Sequence, residues 1–86
     1  MSTYFVIVVE QNGTVEAQSF PNGDLAETHW QHEASRIVLG GVVGVALETV
    51  DAEGNYSRVT AKVSPDTNAQ QLFMERHRAW RQNRPG

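Results

Sequence analysis

Eighty-six residues with a formal charge of −3 and no cysteine describe one small domain, without disulfides or thiolate metal sites. The charge is divided: residues 1–65 hold Arg36, Arg58 and Lys62 against eight acidic residues, giving −5. Residues 66–86 hold four arginines against Asp66 and Glu75, giving +2. An acidic body argues against a general nucleic-acid binder and leaves the arginine-bearing end as the place for a local contact.

The opening MSTYFVIVVEQ has no basic segment ahead of its apolar run, which makes it a poor signal peptide. Tyr4 to Val9 is β-branched and aromatic throughout and predicts a strand with apolar side chains on both faces. Asn12-Gly13 suits a hairpin turn, and the alternation of Thr14 to Phe20 predicts a second, less buried strand. Asp24, with Glu27 three residues on, predicts a helix start. Ala26, Trp30, Ala34 and Ile37 form its apolar stripe, and Gly40 is its expected stop near Val38 or Leu39.

Ile37 to Leu47 is the longest stretch without a polar side chain, eleven residues. It is far shorter than the about 20 residues of a membrane span, and its glycines suit a turn followed by a strand. From Val42 the period is two. Val43, Val45 and Leu47 fall on one side, and Gly44, Ala46 and Glu48 on the other, a side flat enough for close backbone approach. Asp51 to Asn55 is a polar hairpin loop. Tyr56 to Val63 predicts a fourth strand, with Val59, Ala61 and Val63 inward and Arg58, Thr60 and Lys62 outward. Glu48 is expected outward as well, in an exposed pair with Arg58 or Lys62. Ser64-Pro65-Asp66 starts a second helix, with the serine as cap and proline at its first position. Ala69, Leu72, Phe73 and Trp80 share a face with Arg76 near its middle, and the helix should fray beyond Arg81.

The expected fold is α+β, ββαββα: a four-stranded, mostly antiparallel sheet with two helices packed on one face. The domain spans 1–82, with 83–86 as a frayed tail. The order also reads as two copies of one ββα unit, each with a proline after its second strand (Pro21, Pro65) and a tryptophan in its helix (Trp30, Trp80).

Catalytic and metal chemistry find little support. His29, His32 and Glu33 lie in HWQHE, an i, i+3 histidine spacing rather than the i, i+4 of the zincin signature, with only distant His77 as a third ligand. Two surface histidines beside a core tryptophan explain it better. The glycines of GGVVG follow a helix and precede a strand, the reverse of a phosphate cradle. Ser35, Ser57 and Ser64 have no nucleophile signature around them. The expectation is a protein that is not an enzyme and holds no cofactor or metal.

The segment Glu75 to Arg84 is the most function-like. Arg76, Arg78, Arg81 and Arg84 surround Trp80, and both residue types are enriched at interfaces. These five are the candidate partner-binding residues. Exposure of Trp80 between Arg76 and Arg84 would make it an anchor, whereas burial on the sheet would make it core. An uncovered apolar sheet face would also favour a homodimer through that face or a strand edge. The expected function is a small, cytoplasmic, non-enzymatic protein-binding module. It would be an accessory, inhibitory or regulatory protein of the phage or mobile-element kind, acting on a partner protein and not on a membrane. The alternative is a nucleic-acid-associated regulator that uses the arginine-rich helix.

Overall fold

The structure, a computed structural model, describes residues 3–83. The elements run β1 (Thr3–Glu10), β2 (Val15–Phe20), α1 (Gly23–Ala34), α2 (Arg36–Leu39), β3 (Val42–Val50), β4 (Tyr56–Val63) and α3 (Thr67–Gln82). The α+β class and the ββαββα order agree with expectation; the tail beyond Asn83 lies outside the described residues.

The strands form one sheet in the order β2-β1-β3-β4, antiparallel at every junction. Glycine and short polar side chains close the hairpins. Gly13 and Gly54 take positive φ, Asn12 Oδ1 accepts from the Thr14 amide, and Asp51 Oδ1 accepts from the amides of Glu53 and Asn55. The helix caps are shifted from those expected. Asn22, not Asp24, caps α1 by accepting from the Leu25 amide, and Asp66, not Ser64, caps α3 by accepting from the Ala69 amide. The α1 helix also ends sooner, at Ala34. Ser35 turns the chain and its hydroxyl donates to the His32 carbonyl, leaving α2 as a single turn before Gly40.

The helices lie on opposite faces of the sheet, which corrects the one-face arrangement. Val6, Val8, Val45 and Leu47 pack against Ala26, Trp30 and Ile37 of the α1–α2 segment. Ile7, Val9 and Ala46 alternate with them along the same strands, so they point the other way and pack against Phe73, Leu72 and Trp80 of α3. The cause is the composition of β1 and β3: each is apolar on both faces, and each face needs cover. Val6, Ile7, Val8 and Val9 are all buried. The uncovered face invoked for a homodimer is therefore covered by a helix.

Opposite faces also overturn the duplication. A two-fold that exchanges antiparallel β1 and β3, and with them β2 and β4, runs perpendicular to the sheet and keeps both helices on one side. Here the two ββα units have opposite hand and cannot be superimposed.

Two irregularities tune the sheet. Val9 pairs with Gly44 and Glu10 with Val42, so Val43 is a bulged residue. Leu47 pairs with Thr60 and Glu48 with Arg58, so Val59 is another. The phase of β4 reverses at Val59. Ala61 and Val63 face α3 as expected, but so does Arg58, while Val59 is exposed rather than inward. On the α3 side Gly44 leaves its backbone open to the Phe73 ring, the close approach that the small residues of β3 allow.

Candidate functional site

The α3 helix lies mainly over β1 and β3, and beside it the α3-facing side of β4 forms the floor of a groove of about 880 Å³. Ala61 and Val63, with Phe73 and Met74, line one part. Tyr56, Arg58, Arg78 and Arg81 line another, and His77 lies in the wall between helix and strand.

Beneath this groove is a buried polar cluster. Glu48 is fully buried and His77 is 4% exposed. The pleat places Glu48 on the same side as Gly44 and Ala46, opposite Phe5 on β1 and Arg58 on β4, and α3 covers that side. His77 follows Phe73 by four residues and precedes Trp80 by three, so all three face the sheet. The imidazole Nε2 and Glu48 Oε2 share a hydrogen bond. Arg58 Nη2 lies 3.5 Å from His77 Nδ1. Arg81 Nε stands 3.3 Å from Glu48 Oε1, within ion-pair range, although among the described residues that oxygen receives no aligned hydrogen bond.

Burial alone would push the Glu48 carboxyl up. The hydrogen bond and charge of His77, then the charges of Arg81 and Arg58, outweigh it and hold the group below its ordinary value. The outward, exposed Glu48 expected from strand periodicity is thus a buried anion that ties α3 to the sheet.

The five candidate residues separate in space. Trp80 is half-buried in an aromatic trio, its ring 5.6 Å from Phe5 and 5.8 Å from Tyr56, and packs against the α3-side core. It is a core residue of this face rather than an exposed anchor. Arg76 is exposed rather than central to the buried face, and its guanidinium lies over Gly13 of the β1–β2 turn. Arg78 and Arg81 reach the groove on the other side of the helix. Arg84 lies outside the described residues. The site therefore keeps Arg78 and Arg81 and adds Arg58, Glu48 and His77. The apolar spacing around His77 could have marked it from sequence, whereas Arg58 depends on the bulge at Val59.

The histidine motif on α1 does not assemble. His29 packs against Phe20 with tilted rings 5.2 Å apart and lies 3.8 Å from Glu33, which binds Arg36 at 2.6 Å; His32 is exposed. Among the described residues no group of three or more metal-capable side chains comes together, and no helix is long and apolar enough to cross a membrane.

Compared with known protein families, curated proteins and solved structures, the chain finds no match in any of the three.

Proposed function

We propose that this is a small, non-enzymatic protein-binding module, of the accessory, inhibitory or regulatory kind and working in the cytoplasm, that docks on a partner protein through the groove between β4 and α3. The observation that carries the reading is the groove itself: an apolar floor with an arginine rim beside an edge strand. Apolar area supplies driving force on burial, and arginine supplies orientation and specificity. The Glu48–His77 hydrogen bond ties α3 to the sheet, and a surface held in place before binding has a lower ordering cost. The nucleic-acid reading has less support, because it needs the helix arginines on one surface and Arg76 turns away from Arg78 and Arg81.

The test is affinity capture with the wild-type chain beside a Met74→Glu/Arg78→Glu variant, in an extract of the source cells. Both side chains are exposed, so the variant should keep its fold, checked by circular dichroism. The reading expects a nuclease-insensitive protein that the wild type retains and the variant loses. Equal recovery by both would overturn it, as would capture of nuclease-sensitive material alone.

A further inference from the structure

We infer that the partner presents an extended, acidic segment that adds beside the edge of β4 as a fifth strand and turns its α3-side side chains towards the groove. The inference rests on the protein-docking reading and specifies its ligand.

The first support is the edge. The β4 strand pairs with β3 on one side only. Among the described residues the backbone N–H and C=O groups on its other side have no strand partner, and an extended chain beside them can satisfy them along the length of β4. A helix pairs its own backbone groups and leaves these unmet.

The second support is the distribution of side chains. Ala61, Val63 and Met74 offer apolar contact to one face of an added strand, and Arg58, Arg78 and Arg81 offer charge. Arg58, Arg78 and Arg81 line the groove above the single carboxylate of Glu48, two more cations than anions in this set, on a chain whose formal charge is −3. Glu48 is fully buried and engaged by His77, so it leaves the rim cationic towards a ligand. An apolar, acidic strand complements both halves.

The third support is the contrast between the two edges. Along β4 stand Arg58, Lys62 and the bulge at Val59, devices that discourage indiscriminate pairing. An acidic strand turns Arg58, on the α3 side, into a partner, whereas a neutral or basic one does not. The β2 edge, VEAQSF, has an unbroken register and no basic residue, so it lacks this selectivity.

The probe is a displayed random dodecapeptide library selected against the full chain. Enriched peptides should carry, at every second position, apolar residues towards one end and acidic residues towards the other, bind more weakly as salt rises, and lose about tenfold or more in affinity on Arg78→Glu, a charge reversal at the groove rim. N-methylation of alternate peptide amides should abolish binding in one phase and spare it in the other, because a strand hydrogen-bonds to its neighbour through every second residue. Enrichment without acidic residues would overturn the inference, as would indifference to Arg78→Glu, equal tolerance of N-methylation in both phases, or no enrichment. Failure here with the captured partner still lost from the Met74→Glu/Arg78→Glu variant removes strand addition and leaves the docking reading standing. Equal capture by wild type and variant removes the docking reading itself.

Discussion

Glu48 on β3 and His77 on α3, twenty-nine residues apart, share a hydrogen bond in the interior, where the glutamate is fully buried and the histidine nearly so. A charge in that position has a large desolvation cost and persists only with its partners in place.

Removing one partner should therefore cost more than removing both. His77→Leu leaves the Glu48 carboxylate without its hydrogen-bond partner and should lower stability by about 3 kcal/mol. Glu48→Leu/His77→Leu should lose less than the sum of the two single variants, with a coupling of about 1–3 kcal/mol in a urea-unfolding double-mutant cycle. Additive losses would mean that the two side chains contribute independently.

The same carboxylate sets an acid limit. Its folded pKa lies below the ordinary 4.5, so between the two values the unfolded chain binds more protons than the folded one. The contribution to stability is complete above about pH 5 and is lost as the pH falls through the folded value. Glu48→Gln should flatten the loss of stability between pH 5 and pH 3 in urea titrations. Asp51, held low by the backbone amides of its own hairpin loop, acts in the same direction from an exposed position, so Asp51→Asn is the control. An undiminished pH slope in Glu48→Gln would assign the acid limit elsewhere.

At Gly44 a side chain has no room. A Cβ there would collide with the Phe73 ring. Gly44→Ala should destabilise the protein by about 1–3 kcal/mol, the usual cost of overpacking. Phe73→Leu placed in that background should recover part of the loss. A thermal melt in which Gly44→Ala matches the wild type would show that α3 can shift away freely.

The apolar run around Gly40 is not uniformly core. Val38 and Leu39 are each 82% exposed, so Val38→Ser and Leu39→Ser should each change stability by less than about 0.5 kcal/mol. Losses like those of buried Val45 would place the pair inside.

Much of the fold is legible along the chain because its signals are local. Alternation in Thr14 to Phe20, the Asn12-Gly13 turn and the stripe of Ala26, Trp30, Ala34 and Ile37 each depend on neighbours a few residues away; the strand and turn formed where that pattern placed them, while the helix broke at Ser35 and left Ile37 in α2. The site was less legible. Arg78 and Arg81 were visible as charges on a helix, but Arg76 and Trp80, close to them in sequence, belong to other surroundings because residues on different sides of a helix meet different neighbours.

Pleat alternation by itself placed Glu48 beside Gly44 and Ala46 on one side of β3, and the doubly apolar β1 by itself required cover on both faces. Which helix covered which face was decided only in three dimensions, because it depends on where the chain crosses after β4. That crossing turned Glu48 from an exposed surface charge into a buried partner of His77. The bulge at Val59 then brought Arg58 to the α3 side, a change of phase that a period of two cannot announce.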